Sequence, residues 1–188
     1  MRVPLIEPAR LTAEQQPLYQ DMKAGISQKF NDFLAVREDG ALMGPWNPWL
    51  HSPRIGKAIW DLTKAMSMEA TLPDDIRQIA ILATGAHFNA AYEIYAHVAQ
   101  AERDHLPSAM LASLVAGIQP TGLSPQQEVA YAVTHQLLAG GVLPRPTYDA
   151  AVAAFGQTGT NELIYLVGLY CLVSLTLNGF NVPVPEKD

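Results

Sequence analysis

Glu93 and His97 lie in a stretch, Leu72–Leu106 (LPDDIRQIAILATGAHFNAAYEIYAHVAQAERDHL), that holds three of the chain's five histidines. On a helix, residues four apart meet on one face, so this carboxylate and imidazole can touch. Ala90 falls on the same face, and Tyr92 and Tyr95 flank it. A carboxylate beside an imidazole orients the ring and favours its protonated form, which makes an acid–base group for neutral pH. The plainer reading is an ion pair on a helix surface, worth a few tenths of a kcal/mol. Ala86, Ala90, Ala91 and Ala96 leave space around the pair, which means either close helix packing or a cavity. His97 and Glu93 are therefore the candidate catalytic residues. Tyr92 is a candidate donor to a substrate oxygen, with Tyr95 beside it.

The same Glu-x-x-x-His pair offers two metal ligands from one helix face, and His87 or His51 is available as a third. Zinc and iron sites usually take three protein ligands whose outer sides are also held. His87 stands ten residues before His97 with a helix break expected between them, so spacing does not assemble that set. No metal and no cofactor is assigned. His105 precedes Leu106-Pro107 and reads as a helix-ending residue in left-handed backbone, which histidine tolerates better than most. His135 sits near a predicted helix C-terminus, where a positive charge suits the dipole.

Helices must position these groups. Pro73, Asp74 and Asp75 open the first of the central pair, with proline in the first turn and acidic groups at the positive end of the dipole. Ile76, Ile79, Ala80 and Ala83 then recur at helical spacing. Asn89 either ends that helix in left-handed backbone or caps the next. Upstream, Thr12-Ala13-Glu14-Gln15 has the spacing of a capping box, for a helix that Gly25 should end. A short helix from Ser27 to Val36 would turn Phe30, Phe33 and Leu34 inward. Gly44-Pro45-Trp46-Asn47-Pro48-Trp49 reads as an ordered loop, because glycine and proline interrupt it. Its two tryptophans either plug the end of a bundle or roof a small-molecule pocket. Ser52 to Ala70 forms the next helix, with Ile55, Ile59, Leu62 and Met66 inward.

Downstream, Met110, Leu111 and Leu114 mark a short helix to Gly117. Ser124-Pro125-Gln126-Gln127 is a capping box opening a helix to Ala139. A helix over Tyr148–Phe155, a turn from Gly156 to Thr160 and a long helix over Glu162–Leu177 follow, and the tail from Pro183 to Asp188 is expected to be poorly ordered. No several-strand alternation of apolar and polar residues occurs, so the predicted fold class is all-α. It reads as one domain over 1–188, with a core at 72–117 and flanking helices at 12–70 and 124–180.

Hydrophobic residues make up 49% of the chain and charged residues 16%, a sparse ionic surface that fits a subunit of a homo-oligomer. A net charge of −6 without a basic run argues against a nucleic-acid partner. The longest apolar run, Leu163–Leu177, is shorter than the roughly 20 residues of a bilayer span and reads as a buried helix, so no membrane association is expected. The sole cysteine, Cys171, cannot form an intrachain disulfide, and MRVPLIEPAR lacks an apolar signal core; both favour the cytoplasm. No glycine-rich phosphate loop or nucleophile elbow is present.

Taken together, Leu72–Leu106 resembles the core of the carboxymuconolactone decarboxylase family, within the alkylhydroperoxidase-D-like superfamily. That family opens a helix with Leu-Pro-x-x-x-Arg-Glu-Leu, as Leu72-Pro73 and Arg77 do here. Its peroxidase branch carries Glu, eleven residues, Cys, two residues, Cys, three residues, His, a spacing that falls here on Gln78, Ala90, Glu93 and His97. Gly44–Pro53, Glu162–Asn178 and Pro183-Val184-Pro185 also resemble the family's longer members, here without the CxxC motif. The resemblance implies an alkylhydroperoxidase-D-like helical bundle, assembly into dimers, trimers or hexameric rings, and a small-molecule substrate.

A dithiol peroxidase needs an attacking and a resolving thiol, which Ala90 and Glu93 do not supply. The decarboxylase branch implies instead a cofactor-free lyase that removes carbon dioxide from a carboxylated unsaturated lactone formed in aromatic-ring degradation. His97 would protonate the resulting dienolate, Glu93 would orient it, and Gln78 would hydrogen-bond the substrate where the family has glutamate. The same groups would serve an isomerase or hydrolyase acting on a related lactone or keto acid. The candidate substrate-binding residues are Gln78, Trp46, Trp49, His51, Tyr95 and His87. The alternative, from another class, is a non-redox helical oligomer with a degenerate site that acts as a binding or scaffold protein.

Overall fold

Capping signals and apolar residues at helical spacing build eight α-helices among residues 1–185, which the computed structural model describes. In chain order they are α1 (Gln16–Lys29), α2 (Trp46–His51), α3 (Pro53–Met68), α4 (Asp74–His87), α5 (Ala91–Arg103), α6 (Ser108–Val115), α7 (Pro125–Ala139) and α8 (Arg145–Gly179). Among the described residues the only extended pairing is an isolated antiparallel bridge between Val36 and Leu42, so the chain is all-α as expected. Of the tail expected to be poorly ordered, residues 186–188 lie outside the described part.

Several end signals act as anticipated. Thr12 and Gln15 exchange side chain-to-backbone bonds of 2.9 and 3.3 Å ahead of α1, and Ser124 and Gln127 do the same at the start of α7. Asn89 (φ 50°) and His105 (φ 62°) take left-handed backbone just after α4 and α5.

Other expectations are corrected. Gly25 does not end α1. A Cβ there would lie 2.5 Å from the Trp60 ring, so this glycine lets α1 and α3 approach. The helix expected over Ser27–Val36 does not form. Beyond Lys29 the chain is irregular, Leu34 is exposed, and its backbone is clamped from α5: the Tyr92 hydroxyl accepts nothing there but donates to the Leu34 carbonyl, while the Leu34 amide donates to the Tyr95 hydroxyl. The Gly44–Trp49 segment is not a loop throughout. Pro45 precedes α2 and Pro48 falls in its first turn, where backbone amides have no intrahelical acceptor to lose. On α3 the buried positions are Gly56 and Trp60, whereas Ile55 and Leu62 are exposed. The helix is rolled this way because the Trp49 carbonyl sits where a Cβ of residue 56 would be. Finally, Gly156 (φ 67°) is a one-residue kink inside α8 rather than the start of a five-residue turn.

Three apolar clusters hold the helices. Met22, Trp46, Trp49, Trp60 and Tyr92 pack with Leu169 and Val173 of α8. Ile76 and Ala80 of α4 meet Val133 of α7 and Leu163 and Leu166 of α8. The opposite side of α4, Ile79 and Leu82, packs on Leu111 and Leu114 of α6. By length and composition α8 could cross a membrane. Its Leu163, Leu166, Leu169, Val173 and Leu177 are buried in the protein core, and Tyr165, Leu172 and Leu175 are exposed.

One polar knot joins α8 to the corner before α4. Glu162 Oε2 accepts from the Thr71 amide (2.6 Å), the Thr71 hydroxyl (2.7 Å) and the Leu72 amide (3.1 Å), and Oε1 pairs with the Arg77 guanidinium. Burial alone would push this carboxyl up; the Thr71 hydroxyl and amide, the Leu72 amide and Arg77 outweigh it and hold it below the ordinary value of 4.5. Its stabilisation is therefore complete above that ordinary value and is lost as pH falls through the depressed one. Glu162→Ala should cost on the order of 3 kcal/mol in urea unfolding at neutral pH, since Arg77 and two amides lose their acceptor. The gap between wild type and variant should narrow as the pH is taken below 4.5; a gap independent of pH would contradict the role assigned to the charge.

Candidate functional site

The surface ion-pair reading of Glu93 and His97 does not survive the structure. His97 is 5% exposed and Glu93 3% exposed, both on the inner face of α5. His97 Nε2 lies 3.1 Å from Glu93 Oε1, and Nδ1 lies 3.0 Å from Oε1 of Gln78, which α4 delivers. With the Gln78 carboxamide so oriented, its oxygen accepts and Nδ1 carries a hydrogen. The contact on the other side is one of proximity, since Glu93 Oε1 is buried without a hydrogen-bond partner among the described residues. Gly85 of α4 gives Glu93 its room: an added Cβ would lie 3.3 Å from the Glu93 side chain.

Two cavities meet at His97. The larger, about 450 Å³, is bordered by Arg77, Gln78, His97, Gln100 and Tyr170, with Asp32 and Arg103 also on its wall. Arg103 bonds Asp104 at 2.9 Å and Asp32 at 2.5 Å, tying α5 to the irregular segment after α1. The smaller, about 40 Å³, lies among Glu93, Trp46, Trp49, Phe33 and Tyr92, and is lined also by His97 and Tyr170. It has room for little more than water. Tyr170 of α8 sets its ring edge-on to His97, with centroids 5.1 Å apart and planes at 88°. Burial pushes the Tyr170 phenol up, Glu93 adds to this and Arg77 opposes it, so the hydroxyl stays a donor at neutral pH.

Of the residues singled out from sequence, His97, Glu93 and Gln78 converge. Trp46 and Trp49 pack in the core, as the plug reading has it, and wall the small cavity next to Glu93 rather than the larger one. Four others are not brought to the larger cavity. Tyr92, adjacent to Glu93, points about 100° away around the helix; its hydroxyl donates to the Leu34 carbonyl at 2.9 Å, and burial pushes its phenol up. The Tyr95 hydroxyl accepts from the Leu34 amide at 3.1 Å. His51 lies at the end of α2 with Nε2 2.9 Å from the Pro4 carbonyl. His87 is exposed at the end of α4, edge-on to Phe88. Among the described residues no three His, Cys, Asp or Glu side chains converge as metal ligands. Cys171 borders neither cavity, and burial pushes its thiol up.

Sequence reasoning missed Tyr170, Gln100 and Arg77. Gln100 follows His97 by three residues and shares its face, so helical spacing alone could have found it. Its side chain is 6% exposed and its Nε2 has no hydrogen-bond partner among the described residues. Arg77 was visible as a lone cation in an apolar helix. Tyr170 arrives from a helix remote in sequence, and nothing local marked it.

No protein-family model matches this chain, and no curated protein matches it in sequence. Solved structures do. The debrominase Bmp8, as a cysteine-to-alanine variant in complex with 2,3,4-tribromopyrrole, superposes with a TM-score of 0.74 at 11% identity, over 99% of this chain and 92% of that one. A protein of unknown function from Agrobacterium tumefaciens, a candidate AhpD antioxidant-defence protein, superposes with a TM-score of 0.67 at 16% identity, over 75% of this chain and 97% of that one. At such identities the likeness carries architecture alone, and what it establishes is that this chain has the AhpD-like all-α fold.

Proposed function

We propose that the protein is a cofactor-independent lyase or isomerase that moves a proton onto or off a small ring acid, with decarboxylation of a carboxylated lactone or keto acid as the leading case. The observation that carries this reading is a buried histidine at the wall of a cavity of about 450 Å³, with one nitrogen 3.1 Å from a carboxylate oxygen and the other hydrogen-bonded to an amide. In the decarboxylation, the bond to the carboxylate carbon breaks and carbon dioxide leaves. The electron pair passes into the conjugated lactone, and His97 protonates the carbon of the resulting dienolate. Solvent restores the proton. An entering substrate displaces the neutral Gln78 from Nδ1 more cheaply than Glu93 from Nε2, so Nδ1 faces the reacting carbon while Glu93 holds the ring. Tyr170 sets its ring edge-on beside it and lines the same cavity. That a debrominase of similar fold holds a substituted pyrrole supports a small ring as the ligand.

His97→Asn keeps a hydrogen-bonding side chain of similar size but cannot exchange a proton near neutral pH. It should stay folded and lose roughly 10²–10⁴-fold in turnover, the usual worth of a positioned acid–base group. Glu93→Gln should lose less and shift the pH profile. The assay is carbon dioxide release or solvent-deuterium exchange over a panel of lactones and β-keto acids, with melting temperature taken on the same samples. Full activity in a folded His97→Asn protein would sink the mechanism, and a wild type inert over the whole panel would favour the scaffold alternative.

We further propose that the protein assembles with copies of itself through α8. Tyr165, Leu172 and Leu175 recur at intervals of seven and three along one face and are exposed, an apolar strip of the kind that associating helices cover. Light scattering at micromolar concentration should give an oligomer, and Leu172→Glu should shift it toward the monomer mass. A wild-type monomer would defeat this.

A further inference from the structure

Two guanidinium groups border the larger cavity, and they are spent differently. Arg103 is engaged at all three nitrogens: Nε and Nη2 donate to the two Asp104 oxygens at 2.9 and 3.2 Å, and Nη1 donates to Asp32 at 2.5 Å. Arg77 gives only Nη1, to Glu162, and this is its one ion pair among the described residues. Its Nε and Nη2 have no partner among the described residues and are not sealed from solvent. Those two nitrogens form the side-on edge of the fork, which takes a carboxylate through two parallel hydrogen bonds. On Arg103 that edge is filled by Asp104; on Arg77 it is free.

Glu162 explains why a cation stands at position 77, but not why this edge is left open. Thr71 and Leu72 already place three donors on Oε2, and a lysine ammonium would supply the remaining bond to Oε1. The pair instead grips the fork by one nitrogen and fixes its free edge in a side chain that is only 12% exposed. A fork held in this way loses little freedom when it binds. Lys29, also on the wall, is exposed and reaches the Ser67 carbonyl at 3.4 Å. Asp74, three residues before Arg77, is exposed and makes no ion pair with it. Arg77 directly precedes Gln78, which bonds His97. Its charge is felt at the Tyr170 phenol, where burial and Glu93 push upward and Arg77 opposes them. The free edge therefore stands within charge range of the groups beside His97.

We propose that Arg77 is a substrate-binding residue that takes, side-on, a carboxylate which the reaction leaves intact. The inference rests on the proton-transfer reading of the cavity and adds which acids that cavity accepts. The group held cannot be the one that departs. An ion pair to the departing carboxylate would stabilise the charged reactant and be lost as neutral carbon dioxide forms, which raises the barrier. A decarboxylation substrate accordingly carries a second carboxylate, which its product keeps, whereas an isomerase substrate needs only one. No bond is made or broken at Arg77, and no proton passes through it. It fixes the ring so that the reacting carbon meets His97.

The test is calorimetric titration of the whole protein with the ring carboxylate of γ-butyrolactone and with the corresponding primary amide. The two probes have nearly the same shape, and neither ring is conjugated, so neither loses carbon dioxide. Wild type should bind the carboxylate about tenfold or more tightly than the amide, the worth of hydrogen bonds to a charged group. Arg77→Lys keeps a cation for Glu162 but removes the side-on edge, and it should abolish most of that preference. A wild type without the preference, or a folded Arg77→Lys protein that keeps it, overturns the inference. If Arg77→Lys does not fold, the Arg77 Nε–H resonance of the wild type decides. It should shift on adding the carboxylate and not the amide; a resonance unmoved by the carboxylate, or moved equally by both, overturns the assignment. In turnover, Arg77→Lys should raise KM by about tenfold with kcat little changed, because the contact is the same in reactant and transition state. Full turnover in His97→Asn with the carboxylate preference intact would refute the proton-transfer reading and leave the anchor standing. Lost turnover in His97→Asn with no preference in wild type would refute the anchor alone.

Discussion

A single carboxylate sets the register of the helices on which the site depends. Glu162 reaches from α8 into the corner before α4 and gathers three donors from Thr71 and Leu72 together with the Arg77 guanidinium. A charge in so enclosed a place is tolerable only with partners of this number and kind. The knot fixes more than a corner. The residue after Arg77 is Gln78, which holds His97, and the residue eight beyond Glu162 is Tyr170, which sets its ring against the same histidine. Eight residues are two helical turns and about 80° more, so Tyr170 lies two turns beyond Glu162 and partly round α8 from it. Sliding α8 against α4 by one turn would carry Tyr170 away from His97.

On that frame α5 presents Glu93, His97 and Gln100 at successive turns of one face. The order matters chemically. Glu93 lies toward a cavity too small for a substrate and so meets the histidine without meeting the ligand, while Gln100 lies toward the cavity that can take one. In the proposed reaction the carboxylate is kept from the leaving carboxyl group, which it would repel. The aromatic wall of Trp46, Trp49, Phe33 and Tyr92 maintains that separation by excluding bulk water from Glu93. Tyr92 and Tyr95, drawn from sequence as chemical groups, instead pin Leu34 and so hold the irregular segment against α5.

Local signals were legible wherever the local backbone decided the outcome. The capping boxes at Thr12 and Ser124, the left-handed residues Asn89 and His105, and the shared face of Glu93 and His97 all follow from short-range geometry. Most of the misreadings share a cause, which is that tertiary contact overrode a local rule. Gly25 signalled a helix end but serves the approach of Trp60, and Gly56 with Trp60 displaced the apolar stripe of Ile55 and Leu62 from the core side of α3. Pro45 and Pro48 signalled a loop but fall before α2 and in its first turn. For the site, α5 could be read from spacing, whereas the contributions of α4 and α8 required knowing which helices pack together.

The amide at position 78 deserves weight because it decides how many protons the site can move. A carboxylate on each side of His97 would give three coupled titrating groups, and the ring could pass a proton either way. Gln78 removes one of them. Its oxygen takes the hydrogen on Nδ1 without accepting the proton. A substrate that displaces the amide then meets an Nδ1–H donor backed by a carboxylate on the far nitrogen, so that transfer from Nδ1 is accompanied by a tighter hold on the proton at Nε2. That arrangement suits delivery of one proton to carbon in a reaction that releases a neutral gas, and it suits poorly any cycle that must shuttle protons through both faces of the ring. In the proposed reaction Gln78 thus narrows the chemistry to one direction.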